Sequence, residues 1–308
     1  MTPINGVIVT PMTPFDRSGA LDLSVLPKTA IWLKQQGVGG MFCLGTWGGF
    51  PLLTFEERQA ATDAVIRAAN DAGLTIIVNI GTPCLQEAVS LVKRAKSEGA
   101  DAIASTVPIY HSGAGYYSID DYRRYFGALL QAADEMPLYL YNNPRTTGVL
   151  LSPSEFVVLV KDGLAGVKDG SKSEDWIIEA QELLAENDLA ADIVPGNTTA
   201  MAYLARRGLS AVTSGAALTF PKLAVDVISL YGGGDSEAAR QRHDMLTHTR
   251  KLIAAVGNPA MTSYGLMRAF GASLGYARLP WSEAPTDLIT KLVDDLRAIP
   301  GIEAYWPA

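Results

Sequence analysis

The sequence predicts a (β/α)8 barrel over residues 1–221 followed by a helical C-terminal region over 222–308. Two observations predict it. Short apolar or β-branched runs bounded by Gly, Pro, Asn or Ser recur eight times, as expected of strands buried on both faces. Longer segments with helical spacing alternate with them, at intervals of mostly 27 to 36 residues, which is the rhythm of parallel βα units. A doubly wound open sheet would normally carry a glycine-rich nucleotide fingerprint after its first strand, and "VTPMTPFDRSG" is not one.

The strand-like runs are "GVIVTPM" (6–12), "GGMFCLG" (39–45), "TIIVNIG" (75–81), "AIASTVP" (102–108), "PLYLYNNP" (137–144), "LAGVKDGS" (164–171), "DIVPGN" (192–197) and "LSAVTSG" (209–215). Between them, residues 24–37 end at glycine, a preferred helix stop. Residues 54–73 open with Thr54 and Glu57 at capping-box spacing and also close on glycine. Residues 86–100 and 118–135 repeat the helical pattern, and 152–163 starts with Ser152 as cap and Pro153 in the first turn. After Pro221 the strand signal stops and four helical segments follow.

Composition excludes several classes. The 308 residues are 48% hydrophobic and 19% charged, with a net charge of −7, so neither a nucleic-acid nor an anionic-membrane partner is expected. Cys43 and Cys84 are too few for a disulfide framework and suit a reducing, cytoplasmic setting. The N-terminus has no basic segment leading into an apolar run, so no signal peptide is read. The uncharged stretch up to Glu56 is rich in glycine and reads as a loop, not a membrane span.

Chemistry in such a barrel sits at the C-terminal strand ends. Strand 2 leads into Thr46, strand 5 carries Tyr141, and strand 6 carries Lys168. Desolvation among apolar strand residues disfavours an ammonium group, and a neutral amine there could attack a carbonyl and form an imine. The alternative is an exposed lysine just past the strand end, paired with Asp169. Position alone leaves both readings open.

The segments "GVIVTPMTPFD", "GTWGG", "YNNP" with its following "TG", and "GVKDGS", in this order and separation, resemble the dihydrodipicolinate synthase/N-acetylneuraminate lyase family across essentially the whole chain. The resemblance implies a (β/α)8 lyase that binds 2-oxo acids such as pyruvate as a Schiff base, with no metal or organic cofactor. It implies Lys168 as the Schiff-base lysine and Tyr141 as proton shuttle. Thr46 matches the loop hydroxyl, and backbone N–H groups of Thr46 and Trp47, with Gly48 beside them, would meet the substrate carboxylate. Tyr110 matches a tyrosine that reaches across a dimer interface, so a homodimer or homotetramer is expected. Thr213, at the end of strand 8, would line the pocket beside the imine.

Four departures bear on the substrate. Trp47 and Gly49 replace the second threonine and the glutamate of the family loop. Arg145 lies one residue before the position of the synthase and lyase arginine, which is Thr146 here; in the synthases that arginine holds a second, carboxylated substrate. The segment "HSGAGYY" (111–117) is not the synthase loop. The resemblance therefore leaves open 4-hydroxy-tetrahydrodipicolinate synthase proper, a pyrroline-4-hydroxy-2-carboxylate deaminase-like branch and a hydratase-aldolase-like branch. A barrel that binds 2-oxo acids without turning them over is the alternative outside enzymes.

Three histidines are too scattered for a metal-dependent aldolase. His243 and His248 read as a solvated pair on a surface helix, while His111 follows Tyr110 and could line the site. Gly196 and Asn197 could offer an anion-friendly helix start, and Thr198 reads as a cap.

Overall fold

A computed structural model of the chain describes residues 4–111, 115–202 and 207–307. Eight parallel strands form the expected barrel: β1 (Gly6–Val9), β2 (Gly40–Cys43), β3 (Thr75–Asn79), β4 (Ala102–Ser105), β5 (Leu138–Asn142), β6 (Gly166–Asp169), β7 (Asp192–Pro195) and β8 (Ala211–Ser214). Neighbours pair in chain order from β1 to β7, and β8 pairs with β1. Among the described residues no ladder joins β7 to β8. Their seam is bridged by a side chain instead, the Thr213 hydroxyl donating to the Pro195 carbonyl at 3.2 Å.

The strands are shorter than the runs that announce them, because the C-terminal part of each run leaves the ladder and becomes rim. Alternation along each strand sends one set of side chains inward, Ile8, Phe42, Ile77, Tyr139, Tyr141 and Val194 among them. The other set, including Val7, Val9, Met41 and Val78, packs outward against the helices.

The helices begin where the caps predict. α1 (Leu26–Gln35) precedes β2, and α2 (Phe55–Ala72) starts on a complete Thr54–Glu57 capping box and stops at left-handed Gly73. α3 (Leu85–Ser97), α4 (Ile119–Ala133), the one-turn α5 (Pro144–Thr147), α6 (Pro153–Lys161) and α7 (Glu174–Glu186) follow. Ser118 and Ser152 each close a capping box on α4 and α6. Beyond β8 come α8 (Pro221–Gly232), which packs on β1, then α9 (Ser236–Val256), α10 (Pro259–Ala269) and α11 (Thr286–Arg297). Among the described residues no helix is long and apolar enough to cross a membrane.

The C-terminal region is stapled onto the rim. Arg278 makes a two-pronged pair with Glu57, the N3 residue of α2, and also donates to the carbonyls of Gly19 and Leu52 at 2.7 and 3.1 Å. Tyr264 donates to the Thr13 carbonyl at 2.7 Å. These bonds tie the loops after β1 and β2 to residues more than 200 positions away.

One expectation is overturned here. His248 is exposed, but His243 is buried, with Nε2 3.0 Å from the Thr198 carbonyl and Nδ1 3.4 Å from the Tyr231 hydroxyl. The sequence showed a helix rich in polar residues; it did not show that the His243 face turns onto the barrel. Burial pushes the His243 imidazole below the ordinary histidine value, against the opposing pull of the Thr198 carbonyl and Asp244.

Two outcomes follow. Neutral His243 contributes stability that is fully present above about pH 6.5, the unfolded value, and is lost as pH falls through the lower folded value. The stability difference between the wild type and His243→Asn, read by urea unfolding, is therefore smaller at acid pH than at neutral pH. Arg278→Ala costs about 1–3 kcal/mol in the same assay, because it strips Glu57 of a charge-assisted partner and two carbonyls of their donor.

Candidate active site

Three strand ends converge at the C-terminal rim. Lys168 is an internal residue of β6, in register with Tyr141 on β5 and Val194 on β7. Its side chain points inward and is 9% exposed. The next residue, Asp169, points to the other face, where it is fully buried, with its carboxylate accepting from Ser171 Oγ at 2.6 Å and Asn142 Nδ2 at 3.2 Å. The exposed Lys168–Asp169 pair considered from the sequence is therefore not formed. Alternation puts the two side chains on opposite sides of the strand. Burial raises the Asp169 carboxyl, against the opposing hydrogen bonds and the Lys168 charge.

Lys168 Nζ sits 4.2 Å from the centroid of the Tyr141 ring and 5.7 Å from that of Phe42. Among the described residues it has no ion-pair partner. The room for it is made by Gly196 at the end of β7. A Cβ there would stand 2.8 Å from Nζ and 2.7 Å from the Asp169 carbonyl oxygen.

The Tyr141 hydroxyl lies 3.0 Å from Thr46 Oγ1, although the two residues are 95 apart in sequence. Asn143 Nδ2 donates to both, at 2.9 Å to Thr46 and 3.2 Å to Tyr141. Burial pushes the Tyr141 phenol up, but the Lys168 charge and hydrogen bonds from Thr46 and Lys168 outweigh it, so the net shift is downward. A phenol that gives up its proton readily, beside an amine and a bridging hydroxyl, is equipped to move protons at one point.

These groups open into a cavity of about 590 Å³. Trp47 lies on its wall, with its ring flat against Gly215, where a Cβ would come within 2.1 Å of the indole. Trp281, from the C-terminal region, stands over Gly49 and faces the same space. Arg145 and Thr146 both line the cavity from α5.

Not every residue named from the sequence arrives. Gly48 is buried off the cavity, its carbonyl accepting from Thr13 Oγ1 at 2.5 Å. Thr213 is 1% exposed and its hydroxyl is spent on the β7 seam, so β8 reaches the cavity through Ser214 and Gly215. Tyr110 is 90% exposed, holds a left-handed φ of 81° and stands away from the cavity beside His111. The loop from 111 to 117 includes residues 112–114, outside those described.

Sequence reasoning missed four contributors. Asn143 could have been found from its place beside Tyr141 in "YNNP", and Lys172 lies just past the strand-6 run. Gly196, which the sequence marked as an anion-friendly helix start, instead makes room for the Lys168 amine. Arg250 and Trp281 carried no local signal, since only the packing of the C-terminal helices brings them to the rim.

The model of the dihydrodipicolinate synthetase family matches residues 3–299. The chain is 32% identical over 251 residues to an uncharacterized DapA-like lyase of Halobacterium salinarum, covering 81% of this chain and 79% of that protein. It is 30% identical over 299 residues to a 4-hydroxy-tetrahydrodipicolinate synthase of Parasynechococcus marenigrum, covering 97% and 96%. A solved dihydrodipicolinate synthase superposes with a TM-score of 0.83 at 26% identity, over 96% of this chain and all (100%) of the other. An N-acetylneuraminate lyase of Mycoplasma synoviae gives 0.84 at 22% identity over 98% of each chain, a likeness of fold.

The site's electrostatics can be read directly. Titrating phenolate absorbance should reveal one tyrosine ionising below the ordinary range of about pH 10, and the early step should vanish in Tyr141→Phe. In Lys168→Met the charge that lowers it is gone while the burial stays, so the step should move upward.

Proposed function

The chain belongs to the dihydrodipicolinate synthetase family, a family of lyases, and we propose that it is a class I lyase acting on a 2-oxo acid through a Schiff base on Lys168. The observation that carries this reading is the convergence of Lys168, Tyr141 and Thr46 from three strands on one cavity.

In the proposed reaction the Lys168 amine adds to the C2 carbonyl. The carbonyl oxygen leaves as water after accepting two protons, and a protonated imine remains. That cation draws electrons from the adjacent carbon, which permits C–C cleavage, C–C formation or loss of water at the third or fourth carbon. Tyr141 accepts and returns the protons these steps release, and Thr46 and Asn143 hold its oxygen in place. The low-lying ionisation of Tyr141 suits both directions of transfer. Backbone N–H groups of Thr46 and Trp47 face the substrate carboxylate, and hydrolysis of the imine frees the amine.

In this reading Tyr110, exposed and held in a left-handed backbone conformation, serves a second copy of the chain. The working assembly is then a homodimer or homotetramer in the cytoplasm.

The reading is tested by incubating the protein with pyruvate and borohydride and measuring intact mass. A reduced adduct is expected in the wild type and absent from Lys168→Ala. Absence of adduct from a folded wild type with a panel of 2-oxo acids would sink the reading. Tyr141→Phe should still form adduct but lower turnover by roughly 10²–10⁴-fold.

A further inference from the structure

The outer part of the cavity has a charge distribution that the proposed imine chemistry does not use. Arg145 on α5, Lys172 in the loop after β6 and Arg250 on α9 come from three separate elements to one wall of the same space. Together with Lys168 they make four cationic side chains, and no Asp or Glu lines the cavity among the described residues. None of the three has an ion-pair partner among the described residues.

The chain as a whole carries 32 acidic and 25 basic side chains. Acids are thus abundant, and elsewhere on the rim they are placed to neutralise arginines, as Glu57 neutralises Arg278 and Glu283 neutralises Arg268. Here they are withheld. Lys172 also adopts a left-handed φ of 66°, a conformation that a non-glycine residue adopts at a cost.

The three cations repel one another. Burial, then Arg145 and then Arg250, all push the Lys172 ammonium below its ordinary value. An anion placed between them removes that repulsion and gains charge-assisted hydrogen bonds, and arginine forks suit the planar or tetrahedral oxygens of carboxylate and phosphate. A cleft lined by one sign of charge also concentrates ligands of the other sign. The cavity volume, about 590 Å³, falls in the range that accommodates ligands much larger than a three-carbon acid.

We propose that the substrate is a 2-oxo acid bearing a second anionic group, a carboxylate or a phosphate, at the end remote from the oxo carbon, and that Arg145, Lys172 and Arg250 hold that group. The inference rests on the Schiff-base reading above, since that reading places the oxo carbon at Lys168. It goes beyond it in naming the substrate class. Thr146 occupies the position at which the synthases carry their arginine, so the anion is held by a different set of side chains.

The test has two arms, both on the full-length protein. In the first, borohydride trapping is measured against concentration for 2-oxoglutarate and for 2-oxopentanoate, which share a five-carbon skeleton and differ in the terminal carboxylate. The dianion should half-saturate at a concentration lower by roughly 10–100-fold, and the ratio should collapse toward one in the Lys172→Gln/Arg250→Gln double variant. Equal half-saturation in the wild type, or a ratio that persists in the variant, overturns the proposal.

The second arm does not depend on the imine. Glutarate and inorganic phosphate are titrated separately by calorimetry into the wild type and the double variant. Binding of either that is lost in the variant supports the subsite, and the tighter of the two tells carboxylate from phosphate. Binding that the variant retains, or no binding of either by the wild type, counts against it. Trapping that fails for every oxo acid while anion binding is lost in the variant would overturn the Schiff-base reading and leave the subsite standing. Trapping that succeeds with no preference for the dianion would do the reverse.

Discussion

The architecture of the site depends on one constraint: an amine must be held inside the mouth of a barrel with no carboxylate beside it. Lys168 meets that constraint through its surroundings. The Tyr141 and Phe42 rings offer π faces to Nζ, a contact worth on the order of 2 kcal/mol when desolvated. Gly196 leaves the space, and strand alternation sends Asp169 to the opposite face, into hydrogen bonds of its own. A salt bridge would have tied up the amine that the proposed chemistry needs. Ring contacts, the hydrogen bond to Tyr141 and packing position it instead.

The same logic extends outward. Tyr141 is useful only if its hydroxyl is fixed, and the fixing groups are Thr46 from the β2 loop and Asn143 from the turn into α5. The β2 loop in turn is not self-supporting. It is held from below by buried Arg58, whose guanidinium donates to the carbonyls of Asn79 and Gly81, each at 2.9 Å, and lies over the Phe50 ring. From above, Arg278 pairs with Glu57 at the start of α2. The C-terminal helices are thus part of the site's support, and they supply Arg250 and Trp281 to its wall. The β7–β8 seam shows the same economy of roles. Where backbone pairing stops, Thr213 closes the gap, and Ser214 and Thr198 meet across it at 3.2 Å.

Much of this was legible in the sequence, and it is clear which parts. The eight strands fall where the β-branched runs place them, and the capping box at Thr54 and the cap at Ser152 start the helices that they announce. Thr46, Tyr141 and Lys168 could be put on one rim because barrel topology sends all strand C-termini to the same end. The misreadings share a cause. His243 lies on a helix whose composition is polar, and composition does not say which face is covered. Thr213 and Gly48 sit in the right segments, but one residue of register decides between cavity and core. Tyr110 is a different case: it was expected to act across an interface between copies, and within a single chain it stands exposed and apart from the cavity.

The sequence by itself determined the barrel, the order of its elements and the identity of the residues at its strand ends. Strand period, helix period and capping are properties of neighbouring residues, and they need no knowledge of distant ones. Only the tertiary structure decided which side chains share the cavity, which are spent in holding it, and that its outer wall is cationic without a counter-charge among the described residues. Those facts join residues as far apart as Glu57 and Arg278, separated by 221 positions. Such proximity is set by how the elements pack, and no local pattern in the chain encodes it.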